Sequence, residues 1–267
     1  MKATLGATLG ATLGIVFPPQ CLGCGAGVAE TGALCPDCWR DTDFIGPCAC
    51  SRCGVPLPGD DAAIRDEAAL LCDDCLTTPR PWRRGRAAAV YAGTGRALVL
   101  ALKHGDRPDL APALGQWLAT AAAPLIRPGV VVVPVPLHPR RMLARKYNQA
   151  ALLAERVARI HGLRHLPAAL RRTRHTPMQD HGSVPDRIAN LEGALAVAAR
   201  ARPQIEGRAV LLVDDVMASG ATLAAATEAL RAAGSGPVKV AVVARAVKAG
   251  RTAADGSVAP DTDGAGA

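Results

Sequence analysis

Two stretches of this chain hold residues whose types and spacing could do chemistry. In residues 210–223 an apolar run ends in Asp214 and Asp215, followed by Val216, Met217, Ala218, Ser219, Gly220, Ala221 and Thr222. Two adjacent carboxylates at a strand end repel each other in an empty pocket. They make sense as acceptors for two neighbouring hydroxyls, such as the 2′ and 3′ groups of a ribose, or as partners of Mg²⁺. A turn into a helix N-terminus gathers free backbone N–H groups and adds the positive end of the helix dipole. The segment after the carboxylates can therefore bind a phosphate without any cation. Gly220 lets the backbone approach the anion closely, and the hydroxyls of Ser219 and Thr222 can donate further hydrogen bonds.

The second stretch is rich in cysteine. Nine cysteines all lie before residue 76, and eight form Cys-x-x-Cys pairs: Cys21/Cys24, Cys35/Cys38, Cys50/Cys53 and Cys72/Cys75. Disulfide frameworks rarely repeat a two-residue gap, whereas zinc sites do so routinely, so the spacing points to a reducing compartment and two Cys₄ zinc ions. Sequential use of the pairs puts the first four cysteines on one ion and the last four on the other. A cross-braced pairing would use the same residues, and iron–sulfur is the competing metal chemistry. Thiolate-only sites without an open position are structural, and a small module poor in apolar bulk needs metal to fold. Cys48 falls outside the spacing and reads as a spare thiol.

The elements that must position these residues follow from the apolar pattern. Residues 130–135 are a continuous apolar run suited to a strand buried on both faces, 209–213 is a second buried strand and 238–244 a third strand. Between them, 148–160 places Ala151, Leu152, Ala154, Val157 and Ile160 near helical spacing, and 222–233 is a helix closed by Gly234. Residues 112–123 form another helix, after a loop around Lys103. Strands separated by helices of this length pair in parallel with right-handed crossovers. The fold class is α/β: a mostly parallel sheet flanked by helices, with a small N-terminal zinc-ribbon module.

The carboxylate pair, short hydroxyl- and glycine-containing loop and following helix resemble the thirteen-residue signature of type I phosphoribosyltransferases. That resemblance implies Asp214 and Asp215 facing the ribose hydroxyls of phosphoribosyl pyrophosphate, with Met217, Ala218, Ser219, Gly220, Ala221 and Thr222 wrapping the 5′-phosphate. Ala218 stands where some purine-salvage members carry an Asp that handles a proton, so this loop supplies no acid–base group. A second strand, at 133–135, ends in Pro136, Leu137, His138, Pro139, Arg140 and Arg141, with Arg145, Lys146, Tyr147, Asn148 and Gln149 just beyond. A cationic turn there can hold pyrophosphate, or be only a solvated basic loop.

These segments together resemble the ComF family of competence-associated, phosphoribosyltransferase-like proteins, over residues 17–247. Thr176 and Gln179, with Arg187 and Asn190 after them, match its central segment, and Leu102 with Lys103 its early Leu-Lys element. The resemblance implies a pyrophosphate side built from Pro136, Leu137, His138, Arg140, Arg141 and Lys103, with Arg145 joining the two aspartates in any catalysis. It further implies a cover over the base carrying Gln179, Arg187 and Asn190. Gly182, Lys146 and the Ala218–Ser219 pair depart from the family pattern. The missing loop hydroxyl weakens phosphate binding by about 1 kcal/mol.

At 267 residues and 49% hydrophobic content the chain supports one ordinary domain plus a small module. The expected division is a low-complexity extension over 1–17 built on three Ala-Thr-Leu-Gly repeats, a double zinc ribbon over 18–80, a phosphoribosyltransferase-like domain over 85–247 and a disordered tail over 248–267. The repeats lack a signal-peptide pattern and are too short and Gly-rich to span a membrane, so a cytoplasmic protein is expected. A net charge of +8 suits phosphorylated metabolites or nucleic acid. Arg80, Arg83, Arg84 and Arg86 follow the last cysteine pair and would give a nucleic-acid- or protein-binding surface positive potential; Trp39, Phe44 and Trp82 are the aromatic candidates for stacking on bases, with Trp39 and Phe44 alternatively filling the module's own small core. Two functions follow. One is a Mg²⁺-dependent protein of phosphoribosyl pyrophosphate or nucleotides, linked to DNA uptake and its proteins. The other is a cytoplasmic single-stranded-DNA-binding protein that uses the same fold without turnover.

Overall fold

A computed structural model describes residues 18–61, 66–137, 142, 143, 145–173, 191 and 193–247. Its centre is a five-stranded sheet of β1 (Arg84–Val90), β2 (Val131–Pro134), β3 (Arg164–His165), β6 (Val210–Met217) and β7 (Val238–Arg245), in the order β1-β7-β6-β2-β3. Every pairing in it is parallel. The strands are apolar on both sides because both sides are covered. Alternate residues divide the core. Val132, Leu211, Val213, Ala241 and Val243 face α3 (Gly93–His104), α4 (Ala111–Ala122) and α5 (Gln149–Ile160). Val131, Val133, Leu212, Val240 and Val242 face α7 (Ala221–Ala232) and the second cysteine group. A short antiparallel pair, β4 (Leu170–Arg172) and β5 (Leu195–Val197), packs beside α7. A four-residue helix, α6 (Arg202–Ile205), leads into β6.

Local rules account for the helix ends. The Asn148 side chain accepts from the Ala150 N–H at 3.1 Å and caps α5. Gly234 takes a φ of 86° just past α7. The buried stripe of α5 is Gln149, Ala150, Leu153, Ala154, Val157 and Ala158, which keeps Ala154 and Val157 of the expected one. Ala151 and Leu152 are half-buried and Ile160 is exposed, because the Asn148 cap and the contact with α4 set the rotation. Strand β6 also differs from expectation: it runs on through both carboxylates to Met217. β7 supplies the ladder, pairing Asp214 with Val242 and Met217 with Arg245, and it outweighs the poor strand propensity of Asp.

The cysteine segments lie against the β1 edge, where Ile45 donates to the Ala88 carbonyl and Val90 to that of Asp43. They contain α1 (Pro36–Arg40), capped by the Cys35 sulfur, and α2 (Asp73–Thr77). Cys21, Cys24, Cys35 and Cys38 form one group and Cys50, Cys53, Cys72 and Cys75 the other, each with its four sulfurs within 4.8 Å of one another. The pairing is thus sequential, not cross-braced. A tetrahedron with Zn–S bonds of about 2.3 Å has edges of about 3.8 Å. Cys24–Cys35 at 3.7 Å and Cys53–Cys72 at 3.6 Å fit such edges. The Gly25 and Gly54 N–H groups turn back to the Cys21 and Cys50 carbonyls, which is the knuckle turn the Cys-x-x-Cys-Gly spacing requires. Among the described residues Cys48 belongs to neither group. No helix among them is long and apolar enough to cross a membrane.

Candidate functional site

Asp214 and Asp215 sit three and two residues before the end of β6, so strand alternation sends them to opposite faces. Asp215 turns to the α3 face, where its carboxylate meets Lys103 Nζ at 2.9 Å. Asp214, half-buried, lies on the other face, and its Oδ1 accepts the Asp215 N–H at 2.9 Å. Burial first, and then the neighbouring Asp215 charge, push the Asp214 carboxyl up to about 7. That backbone hydrogen bond, Lys103 and Arg172 oppose the rise. The end of β6 therefore carries one carboxylate fixed by Lys103 and one poised near neutrality on the other face, an arrangement suited to taking a hydrogen-bonded ligand.

The chain from 217 onward turns within three residues. Met217 buries its side chain in the core and offers only backbone to the turn, whereas Ala218 is exposed. Gly220 adopts a φ of 81° and caps α7, a left-handed conformation that favours glycine. The Ser219 hydroxyl accepts the Ala221 N–H at 3.3 Å, so it is a cap as well as a loop donor. Ala221 is buried and Thr222 half-buried in the first turn of α7, where intrahelical partners for the N–H groups are absent by construction.

Lys103 and Asp215 come together although they are far apart in the sequence. The Tyr147–Asn148–Gln149 run holds the end of α3 that carries Lys103. Tyr147 donates to the Leu102 carbonyl at 2.7 Å, and Gln149, fully buried, donates to that of Lys103 at 3.4 Å. Asn148 donates to the Val135 carbonyl at 3.0 Å, tying the same corner to the end of β2. Pro136 and Leu137 are half-buried there, and the Pro136 carbonyl accepts from Arg172 Nε at 3.2 Å. Arg145 stands beside His104, 3.5 Å from its Nε2. Burial, then Arg145 and Lys103, hold His104 below its usual range. His138, Arg140, Arg141, Gln179, Arg187 and Asn190 lie outside the described residues.

Sequence reasoning missed the residues behind the loop. Arg245, buried, donates to the Met217 carbonyl at 3.0 Å and that of Ala218 at 2.7 Å. Arg80 donates to the Ser219 carbonyl at 2.8 Å, and its guanidinium lies 5.7 Å from the Trp82 ring. No local pattern announces either contact. Of the four arginines expected at the surface, only Arg83 is exposed; Arg80 and Arg84 are half-buried and Arg86 is buried. Trp82 is 1% exposed, so it is core and no stacking partner, whereas Trp39 is 55% exposed.

Two family models match the chain, a double zinc ribbon domain over residues 12–76 and a phosphoribosyl transferase domain over 149–259. DNA utilization protein YhgH of Escherichia coli O6:H1 is 32% identical across 72% of this chain and 81% of its own length. The protein of the same name from strain K12 is 31% identical, over 78% of this chain and 88% of its own. Competence protein F of Haemophilus influenzae is 28% identical over 86% of this chain and 98% of its own. Among solved structures, glutamine phosphoribosylpyrophosphate amidotransferase of B. subtilis, complexed with ADP and GMP, aligns with a TM-score of 0.37 at 23% identity. That alignment covers 53% of this chain and 30% of that one. The phosphoribosyltransferase fold with two structural zinc sites rests on the family models, the parallel sheet and the two cysteine groups.

Proposed function

This chain belongs to the ComF family, and on that footing we propose that it binds phosphoribosyl pyrophosphate or a nucleotide, with Mg²⁺, at the C-terminal ends of β6 and β2. The observation that carries the reading is the Asp214–Asp215 pair: one carboxylate fixed by Lys103, one raised to about 7 by burial and by its neighbour, directly before a glycine-capped helix start. In this reading the backbone of 217–222 takes the 5′-phosphate and Asp214 and Asp215 take the ribose hydroxyls. Lys103 and Arg145, with the basic turn from Pro136 to Arg141, face the pyrophosphate, and Gln179, Arg187 and Asn190 cover the base. Mg²⁺, when bound, supplies charge neutralisation at the pyrophosphate. Any transfer then rests on electrostatic stabilisation of the leaving group, since Ala218 offers no proton carrier.

The relatives carry DNA utilization and competence in their names, and we assign this chain to the same DNA-handling setting and, as a reading of its own sequence, to the cytoplasm. We also retain the division into a zinc ribbon over 18–80 and a ribose-phosphate domain over 85–247. Titration calorimetry with phosphoribosyl pyrophosphate and Mg²⁺ tests the site. Binding should disappear in the Asp214→Ala, Asp215→Ala double variant, and unchanged affinity overturns the assignment. Release of pyrophosphate on adding a nucleobase would add turnover to binding.

A further inference from the structure

Three of the chain's seven aromatic residues meet away from the cleft. The Trp39 and Phe44 rings lie 4.5 Å apart, and Phe44 meets Trp117 of α4 edge-on at 4.9 Å. They line a crevice of about 410 Å³ between the first cysteine segment, β1 and α4. That volume falls in the roughly 300–1,000 Å³ range of small-ligand sites. Trp39, at its mouth, packs on Phe44 yet stays 55% exposed.

The crevice is lined mainly by apolar residues, with Arg86 and Glu67 as its charged groups. Arg86 is only 4% exposed, its Nη2 bonds to the Glu67 carboxylate, and its Nη1 has no hydrogen-bond partner among the described residues. Leaving a buried cationic donor unmade is costly, so such a group points to a ligand that supplies the acceptor. Glu67 is half-buried beside it and offers acceptor capacity of its own. An aromatic mouth above a guanidinium donor and a carboxylate acceptor matches a planar ring with a carbonyl acceptor next to N–H donors.

We propose that this crevice is a nucleobase-binding site for a guanine-type base, distinct from the ribose-phosphate cleft. The base stacks on the exposed Trp39 ring at the mouth and turns its hydrogen-bonding edge to Arg86 and Glu67. It can come as a free nucleoside or as one base of a single strand. A cationic border lies next to it. Arg84 contacts Glu67 at 3.9 Å. Burial first, and then repulsion from neighbouring cations, with Arg127 acting on both, holds Arg84 and Lys239 below their usual ranges. That border suits the phosphates flanking a base in a strand.

Tryptophan fluorescence reads the site in the full, zinc-loaded chain, with guanosine and a short guanine-containing DNA single strand as probes. Guanosine is used because it has no phosphate for the 217–222 loop. Quenching by guanosine supports the site with a free nucleoside as ligand, and quenching by the strand alone supports it with a strand as ligand. Trp39→Ala should weaken whichever binds by about tenfold or more, while Trp39→Phe restores most of it. Trp39 is exposed, so unchanged zinc content and melting in these variants confirm folding. Neither variant should change the titration with phosphoribosyl pyrophosphate, and the double aspartate variant should leave quenching intact, which separates this site from the cleft. Absence of quenching by both probes, or equal binding by Trp39→Ala, overturns the proposal.

Discussion

Replacing Asp214 by Asn should stabilise the ligand-free protein at alkaline pH while removing ligand binding. A carboxyl raised from 3.8 to about 7 resists ionisation in the folded state, a difference of about three units, or about 4 kcal/mol as a ceiling. Partial solvent access screens that figure, and about 1–2 kcal/mol is the effect to seek. The sign follows from proton counting. Between pH 4 and 7 the folded protein holds the Asp214 proton and the unfolded chain has released it, so stability falls as pH rises through this window. Above about 7 both states are ionised and the full cost remains. The Asn side chain is neutral throughout, so the variant and the parent should melt together near pH 4 and separate progressively towards pH 8. At roughly 2–4 °C per kcal/mol for a chain of this size, the gap at pH 8 should be about 2–8 °C in favour of Asp214→Asn. Melting curves at pH 4, 5, 6, 7 and 8 supply the measurement, with other titrating groups cancelling in the difference. A constant gap across pH, or a less stable variant at pH 8, refutes the reasoning that Asp214 is ionised against its environment.

Lys103→Met removes the cation 2.9 Å from Asp215; affinity for phosphoribosyl pyrophosphate at pH 8 should fall by about tenfold or more, the ~1.5–3 kcal/mol of a charged hydrogen bond, and calorimetry reads it. Gly54→Ala and Gly25→Ala form a matched pair, since both glycines have positive φ. A Cβ at Gly54 would meet the Ala87 nitrogen at 2.7 Å, whereas one at Gly25 meets nothing within 4 Å. Gly25→Ala should cost about 1 kcal/mol and Gly54→Ala several times that, compared by denaturant midpoints. Chelation should release metal in two phases, because Cys24 is exposed while Cys50, Cys53, Cys72 and Cys75 are all buried. Loss of both ions at one rate would contradict that difference.

Much of the fold was legible because its signals are local. Residues 130–135 are buried on both faces and so read as an unbroken apolar run, and the cysteine spacing alone picked out the eight sulfurs that gather into two groups. Features set by tertiary pairing were not legible. Asp214 and Asp215 end an apolar run in the sequence and look like loop residues, yet the β7 ladder keeps them in the strand. Arg86 looks like part of a solvated basic stretch, and the Glu67 carboxylate draws it inside. Trp82 looks like an exposed anchor, and its indole N–H instead finds the Arg52 carbonyl at 2.6 Å while the ring fills the core. In each case the deciding partner is remote in sequence and leaves no periodic trace.

The loop after β6 shows why a zinc ribbon and a phosphoribosyltransferase-fold domain should share one core. A turn can hold its N–H groups ready for an anion only if its carbonyls are satisfied elsewhere. Here the carbonyls of Met217, Ala218 and Ser219 all accept from guanidinium groups: the first two from Arg245 on β7, the third from Arg80. Arg80 lies five residues beyond Cys75, and Trp82, two further on, presses its ring to 3.0 Å from where a Cβ on Gly220 would stand. Cys50, Cys53, Cys72 and Cys75 are packed into the same apolar cluster as Trp82 and α7. The second metal site is therefore part of the wall behind the loop. Its cysteines fix the segment that supplies both the hydrogen bond and the ring, and the shape of the turn depends on them as directly as on its own glycine.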